Sequence, residues 1–444
     1  MLSEDEARRL TAQIIKLSKA DEVEVSVGSA RTTNLRFARN APTTSGETDR
    51  VSITVTSRFG QRVGDATTNQ RDAASLELAV RAAEEVARRA PENPEVMPML
   101  SAQAYVAVPG AFDAATAEGG AEALADGVAV ALDTARAAGL IAAGYVEVFE
   151  SAVSLANSAG LFGYHRSTGS TLTETFRTPD GAGSGWGSSA AVRIADLDFV
   201  GVAAAASRKA AASQQTRPLA PGSYVAILEP AVVADLVGLF TRRLDGRAAD
   251  EGRSYFARPG GGTRIGEALF GADITLRSDP HDPIVPGAPW GSEGLPQTAI
   301  DWVRDGKLTN LRYGRYWAAK QGVPPVPRPS NLLMAGGQGT TADLIARTER
   351  GVLITSVWYI RPLDPQTLLY TGLTRDGVFW IEDGKVTHAV NNFRWNDSPI
   401  AVLKNVTAMS APVHTLSRDL GASDMAVPAL QVSAFELSSV SDAV

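Results

Sequence analysis

The sequence of 444 residues contains no cysteine. This absence excludes three kinds of site together: a disulfide framework, a metal site with thiolate ligands and a cysteine nucleophile. Histidine is also scarce, since only His165, His281, His388 and His414 occur. No two of them stand four residues apart, the spacing that places two imidazole ligands on one helix face. The sequence therefore predicts no metal site in this chain, and we expect these histidines to be surface or hydrogen-bonding residues.

Positive charge and long apolar runs are lacking as well. The formal net charge is −7, and no basic run is longer than the pairs Arg88-Arg89 and Arg242-Arg243. Nucleic-acid backbones are bound by clustered Lys and Arg, so we expect no nucleic-acid partner. No apolar run approaches the roughly 18 residues that span a bilayer, and the opening stretch MLSEDEARRLTAQIIKL has no secretory apolar core. These features predict a cytoplasmic protein without membrane contact.

Motifs for catalysis are missing too. No Gly-x-Ser-x-Gly motif occurs, and the serines of GAGSGWGSS have no histidine nearby in the sequence. The run MAGGQGTTADLIARTERG lacks the Lys-Ser/Thr of a phosphate-binding loop, so it predicts a glycine-rich turn with Thr340 or Thr341 capping a short helix. Asp279, His281 and Asp282 lack further partner ligands for a cation. We therefore predict no catalytic residues, and sheet edges suited to binding an extended peptide by strand addition.

The first half of the sequence alternates between helix and strand patterns. Ser3 and Glu6 have the spacing of a capping box at the start of a helix that we expect to run to about Lys19. The segments DEVEVSVGS, NLRFARN and VSITVTSRF alternate apolar and polar residues as half-buried strands do. Residues 112–138 predict one Ala-rich helix, and the Gly-, Ser- and Thr-rich segments that follow predict short strands in an antiparallel meander.

The second half is mostly β in pattern. The Pro-rich segment TRPLAPGS, 216–223, marks the best boundary, giving an α/β domain at 1–218 and a β-rich domain at 219–444. The dipeptides Asp305-Gly306 and Asp383-Gly384 each predict a hairpin. Residues 258–296 are rich in Gly and Pro, and such a long irregular stretch is typically functional or covered by a partner.

The order of several segments resembles the TldD/TldE (PmbA) family along nearly the whole chain. The resemblance rests on LRFARN, TTNQRDAA, LEPAVVADLVGLF, DEGRSYF, DITLRSDP, GSEGLP and above all LLYTGLTRDGVFWIEDGKVTHAVNNFRWNDSPIAVLKNV. It implies an α+β fold: an N-terminal α/β half with a curved antiparallel sheet and helices, and a barrel-like antiparallel β C-terminal half. The chain looks like the TldE/PmbA-type member of this family.

In the TldD-type member, the helix after the first strand of the C-terminal half carries HExxxH, which binds zinc and supplies a general base. The corresponding helix here is AVVADLVGLF, and it contains neither His nor Glu. The resemblance therefore implies a non-catalytic, substrate-shaping subunit of a heterodimeric zinc metalloprotease acting on unfolded or extended peptides. Zinc is expected only in the TldD-type partner, and the chain is expected to be inactive alone, where it could form a homodimer.

Two alternatives to this role stay open. The chain could be a stand-alone peptide hydrolase with a non-metal site, or a homodimeric peptide-binding module. For substrate contacts we predict Asn391, Asn392, Arg394 and Asn396, whose side chains could hydrogen-bond an extended backbone or a peptide terminus. They could equally be turn and capping residues for the helix PIAVLKN. Trp290 and Trp380 could anchor a peptide or simply lie in the core.

Overall fold

A computed structural model describes residues 1–441 and has a mixed α+β fold. Ten α-helices lie within these residues: α1 Glu4–Leu17, α2 Ala73–Arg89, α3 Ala114–Glu118, α4 Ala121–Ala137, α5 Phe199–Ala212, α6 Pro230–Thr241, α7 Gly246–Asp250, α8 Arg315–Gln321, α9 Thr341–Ala346 and α10 Pro399–Lys404. None of the helices in 1–441 is long and apolar enough to cross a membrane.

The strands of this region form three sheets. Their bounds are β1 Glu22–Ala38, β2 Ala41–Phe59, β3 Arg62–Thr68, β4 Ile141–Asn157, β5 Phe162–Arg177, β6 Ser184–Ala191, β7 Thr216–Arg217, β8 Gly222–Leu228, β9 Leu276–Ser278, β10 Ile300–Arg304, β11 Lys307–Leu308, β12 Leu332–Met334, β13 Arg350–Ile354, β14 Val357–Asp364, β15 Leu369–Thr374, β16 Val378–Glu382, β17 Lys385–Val390, β18 Asn392–Asp397, β19 Val406–Met409, β20 Val413–Thr415, β21 Met425–Val427 and β22 Leu430–Ser441.

The first sheet is antiparallel throughout, with the strand order β3-β2-β1-β4-β5-β6. The predicted meander is confirmed, but its strands are longer and fewer than the sequence suggested. DEVEVSVGS and NLRFARN belong to the single strand β1, and four short candidates after residue 138 form only β4 and β5. The linking residues are rich in Thr, Ser and Ala and contain no turn dipeptide, so the strands continue through them.

The helices of the first half start where their capping residues predict. Ser3 and Glu6 form the expected capping box, although α1 ends at Leu17. The prediction of one helix over 112–138 is wrong, because Gly119 and Gly120 separate α3 from α4. Glycine is a poor helix former, and two in succession end a short helix that has little to gain from continuing.

Two helices cover each buried region of the first sheet. Helices α1 and α2 pack over β1 and β2, and helices α4 and α5 pack over β1, β4, β5 and β6. The close approach of α5 to β6 requires glycine at Gly185, because a Cβ there would lie 2.2 Å from the backbone oxygen of Ala206. This packing leaves the opposite face of β6 free to meet the second half of the chain.

The second half contains the other two sheets. The second sheet has the order β11-β10-β9-β12-β21-β20, and the third has the order β14-β15-β18-β22-β8-β13-β16-β17-β7 with β19 paired to β22. Both contain parallel as well as antiparallel pairs, and neither closes on itself within residues 1–441, so this half is strand-rich without being a closed antiparallel barrel. The two DG hairpins are confirmed as β10–β11 and β16–β17.

The first sheet draws only on residues up to Ala191, whereas the strands of the other two begin at Thr216. The proposed boundary between 218 and 219 stays a prediction. The two halves meet along β6, whose alternate residues Ser184, Trp186 and Ser188 contact the second half. We call this contact zone the junction.

Candidate functional site

Helix α6 lies in the hydrophobic core of the second half. It follows β8 directly, with Pro230 in its first turn, and its residues 231–240 are all buried. A helix that is apolar around its whole circumference belongs in a core rather than at a surface. Its packing explains why AVVADLVGLF consists almost entirely of small and branched apolar residues.

Asp235 is the one acidic residue of this helix, and it is fully buried. Its two carboxylate oxygens accept hydrogen bonds from the backbone N–H groups of Asp419 and Leu420, at 3.2 and 3.0 Å. Burial raises the pKa of Asp235 to about 7, although these hydrogen bonds work in the opposite direction. Asp235 thus fastens the loop after β20 to the helix.

Arg418 is the cation of this loop. It forms an ion pair with Asp376, donates to the hydroxyl of Ser356 at 2.8 Å, and lies beside the rings of Trp186 and Trp358. Its side chain is 12% exposed, and burial lowers the pKa of its guanidinium to about 9. Asp376 also accepts a hydrogen bond from the hydroxyl of Ser184. Arg418 and Asp376 therefore connect the three sheets at the junction.

The residues around α6 do not fit a zinc ion. The carboxylate of Asp235 is occupied by two backbone donors, and the nearby side chain is the guanidinium of Arg418, whose charge opposes a dication. Across residues 1–441, no three His, Asp or Glu side chains come together as metal ligands. The expectation of a zinc-free chain stays a prediction.

The four histidines lie apart from one another. His281 is exposed, and Nδ1 of His388 lies 2.9 Å from the hydroxyl of Thr387. His414 contacts the carbonyl oxygen of Ser423 through Nε2 at 2.7 Å. His165 packs edge-on against Trp290, and burial lowers its pKa to about 4. His388 and His414 thus have hydrogen-bonding roles, whereas His165 is a half-buried ring that its lowered pKa keeps neutral.

Replacing Asp235 tests its structural role. At pH 5, below the raised pKa of Asp235, Asp235→Ala leaves two partly buried backbone N–H groups without an acceptor, so we expect the free energy of unfolding to fall by about 2 kcal/mol. Urea denaturation measures this loss, with Asp133→Ala on the exposed side of α4 as the control. Equal stability of the two variants would show that Asp235 does not hold the loop.

A polar cavity of about 240 Å³ lies at one end of the junction. Its lining combines residues from both halves and includes Ser184, Ser213, Thr216, Asp376, Asn391 and Asn392. The side-chain oxygen of Asn391 accepts the backbone N–H of Leu219 at 2.7 Å, while its amide nitrogen is buried with no hydrogen-bond partner. A buried donor of this kind is costly unless a ligand or water accepts from it.

The four predicted substrate contacts lie along one segment but not in one site. Asn391 and Asn392 line the cavity. Arg394 is exposed and donates to the hydroxyl of Thr371 at 3.1 Å, and Asn396 lies further along β18 with its side-chain oxygen buried and unpartnered. The alternative of turn and capping residues is wrong, because three of them lie in β18 and Ser398 occupies the cap position of α10.

A larger groove of about 950 Å³ lies at the other end of the junction. It is bounded by β6 and β20, which are edge strands of the first and second sheets and lie against each other. Its apolar lining includes Phe112, Ile284 and Val413. Trp290 packs instead against Tyr105, and Trp380 against Tyr224, so neither tryptophan lines the two cavities.

Sequence reasoning missed the central residues of the junction, Ser184, Asp376 and Arg418. They are separated by long stretches of chain and share no motif. The only local signal is the adjacent Arg-Asp pair at 375–376 and again at 418–419. Such pairs are common in turns, so they carry little information without the fold.

Several solved structures share this fold. The chain matches TldE from Thermococcus kodakarensis with a TM-score of 0.85 and 16% identity, over 97% of this chain and 99% of that one. It matches a protein described as a modulator of a DNA gyrase from Thermotoga maritima with a TM-score of 0.84 and 16% identity, over 97% and 99%. It also matches a protein described as a modulator of DNA gyrase from Bacteroides thetaiotaomicron, with a TM-score of 0.83 and 19% identity, over 99% of this chain and 100% of that one.

Family models account for most of the chain. Residues 118–214 match the PmbA/TldA metallopeptidase central domain, and residues 221–439 match the PmbA/TldA metallopeptidase C-terminal domain. No curated protein matches the sequence. The two family models follow each other along the sequence and the full-length fold agrees with them, so the chain belongs to the PmbA/TldD metallopeptidase family.

Proposed function

We propose that this chain is the non-catalytic, substrate-shaping subunit of a heterodimeric TldD/TldE-type zinc metalloprotease acting on unfolded or extended peptides. The proposal rests chiefly on the residues of α6 and on how they are packed. Where the resemblance expects a metal-binding helix, this chain has a fully buried apolar helix whose single carboxylate binds backbone N–H groups. Zinc and the general base would then come from a TldD-type partner.

The junction supports a role in holding extended peptide. Edge strands offer unpaired backbone groups to a passing chain, and β6 and β20 both border the larger groove. Backbone pairing grips a peptide without demanding one sequence, which suits a subunit that handles unfolded substrates. The cavity at Asn391 and Asn392 adds polar side chains at the far end of the same contact zone.

The proposal places the working complex in the cytoplasm, with one TldD-type partner and no nucleic acid or membrane. The net charge of −7 gives no support to direct contact with DNA. In the absence of the partner, the chain could pair with a second copy of itself.

Elemental analysis and peptidase assays test the proposal together. The purified chain should contain no stoichiometric zinc and should not digest denatured protein. Co-expression with a TldD-type chain should give a heterodimer whose digestion of the same substrate is abolished by a chelator. Tightly held zinc in the lone chain, with chelator-sensitive digestion, would overturn the proposal.

The two alternatives give different results in the same assays. Chelator-insensitive digestion by the chain alone would identify a stand-alone hydrolase. Peptide binding by a homodimer that never associates with a TldD-type chain would identify a separate binding module. Each result is distinct from the heterodimer that we expect.

A further inference from the structure

Two arginines share one tryptophan ring at the junction. The guanidinium carbons of Arg375 and Arg418 lie 5.7 and 5.8 Å from the ring centroid of Trp358. Trp358 belongs to β14, the edge strand of the third sheet, and is 40% exposed. The ring is therefore accessible to solvent and to an extended peptide.

The two arginines differ in what they bind. Arg418 pairs with Asp376 and donates to Ser356. Arg375 contacts Trp358, but within residues 1–441 its guanidinium makes no hydrogen bond or ion pair, and its Nε is buried without a partner. A guanidinium has five N–H donors in a rigid fork, so an unpaired, partly buried one is an unusual and costly arrangement.

Neighbouring charge adds to this cost. Arg177 is paired across the first sheet with Ser184 and lies on the face that meets the second half. Burial lowers the pKa of Arg375, and the charge of Arg177 lowers it further. Two cations thus lie close together, and in the described part of the chain neither guanidinium has a hydrogen-bond or ion-pair partner.

The nearby carboxylates are already engaged elsewhere. Asp376 binds Arg418 and the hydroxyl of Ser184. Asp419 accepts the backbone N–H groups of Tyr359 and Ile360, at 2.7 and 3.3 Å. Residues 1–441 therefore supply no anion to Arg375, and an anion from outside this part of the chain would relieve both the unpaired donors and the repulsion from Arg177.

We propose that Arg375, with Arg177 and the ring of Trp358 beside it, binds a carboxylate carried by an extended peptide. The assignment rests on the proposed function, which makes extended peptide the ligand of this chain. The planar guanidinium matches a carboxylate in a two-pronged hydrogen bond, and a tryptophan face beside it limits competition from water. The carboxylate comes either from the C-terminus of the peptide or from an Asp or Glu side chain.

Three labelled peptides distinguish these sources. Each is a ten-residue chain of Gly, Ser and Ala with rhodamine at its N-terminus. The first has a free C-terminal carboxylate, the second has an amidated C-terminus, and the third is amidated with one central Glu. Fluorescence anisotropy on the chain, alone and with its TldD-type partner, should show at least one carboxylate peptide bound about tenfold more tightly than the neutral one.

Variants then locate the effect. Arg375→Gln should bring the affinity for the preferred peptide down to that for the neutral peptide, and Arg177→Gln should weaken it in the same direction. Arg361→Gln removes the same charge from β14, where Arg361 lies over Tyr359, and should keep the preference. Circular dichroism and thermal melting identify any variant that fails to fold. If Arg375→Gln does not fold, the binding preference of Arg177→Gln decides the result.

The outcome is separable from that of the proposed function. Equal binding of all three peptides, no binding at all, or a preference that survives both Arg375→Gln and Arg177→Gln would overturn the carboxylate site. A heterodimer with chelator-sensitive activity but no carboxylate preference would leave the subunit role standing. A carboxylate preference without any association with a TldD-type chain would support the carboxylate site and contradict the subunit role.

Discussion

Glu174→Gln should remove a large part of the loss of stability that we expect for this protein between pH 5 and pH 8. Glu174 is 1% exposed, and neither of its carboxylate oxygens has a hydrogen-bond partner. It lies in the row Phe37–Gly144–Glu174–Gly187 across four strands of the first sheet, on the face covered by α4 and α5. An ionised carboxylate in this position would be unpaired in an apolar core.

The direction of the pH effect follows from the pKa. Burial raises the pKa of Glu174 to about 8 from its ordinary value of 4.5. The unfolded chain therefore releases this proton at lower pH than the folded protein does. Between these two values the folded state binds more protons, so stability falls as the pH rises. One pKa unit corresponds to about 1.4 kcal/mol, which gives an expected loss on the order of 3 kcal/mol.

Denaturant titrations from pH 5 to pH 8 measure this loss. The wild-type protein and Glu174→Gln should have similar stabilities at pH 5, where both side chains are neutral in the folded state. At pH 8 the variant should be more stable by several kcal/mol. Glu118→Gln, a change of the same kind at an exposed position, should follow the wild type. Parallel pH curves for wild type and Glu174→Gln would show that Glu174 is not held neutral.

No sequence pattern distinguishes Glu174 from a solvated strand residue. It occurs in STLTETFRT, where alternation predicts a half-buried strand and suggests that charged positions face solvent. The structure reverses this, because Leu172, Glu174 and Phe176 share the face under α5. Thr173, Thr175 and Arg177 lie on the opposite face, the face on which β6 contacts the second half. Which face is buried depends on where α4 and α5 pack on the sheet, and local periodicity does not contain that information.

Features that depend on neighbours in the sequence were predictable. The hairpins at Asp305-Gly306 and Asp383-Gly384 form because these residues adopt the positive φ angles that two-residue turns require. Thr340 caps α9 for the same kind of local reason. By contrast, the ion pair of Arg418 with Asp376 and the hydrogen bond from Ser184 join residues that are distant in sequence. Only the fold brings them together.

The candidate site was predictable only in part, for the same reason. That AVVADLVGLF contains neither His nor Glu was evident from the residue types. The segment around Asn391 and Asn392 was also recognisable. Of the four residues predicted there to contact substrate, only these two line the cavity at the junction. Arg375 gave no signal of its own, because an unpaired guanidinium is defined by what surrounds it.

Arg418→Ala should be the most destabilising substitution at the junction. The side chain of Asp376 is fully buried, and removing its cationic partner leaves a buried carboxylate supported only by the hydroxyl of Ser184. Breaking such a pair from one side costs about 3–5 kcal/mol, chiefly because of the charge left behind. Arg136→Ala removes one partner of an exposed ion pair on α4 and should cost under about 1 kcal/mol.

A double variant separates the ion pair from simple packing. If the buried charge causes the loss, Arg418→Met combined with Asp376→Leu should be far more stable than either Arg418→Ala or Asp376→Ala, because no unpaired charge remains. If Arg418 acts mainly by filling space against Trp186 and Trp358, the apolar pair should recover no more than Arg418→Met alone. Urea denaturation of the five proteins decides between these explanations. Limited proteolysis of the loop between β20 and β21 then shows whether losing the pair opens the junction, as the position of Arg418 between the two halves requires.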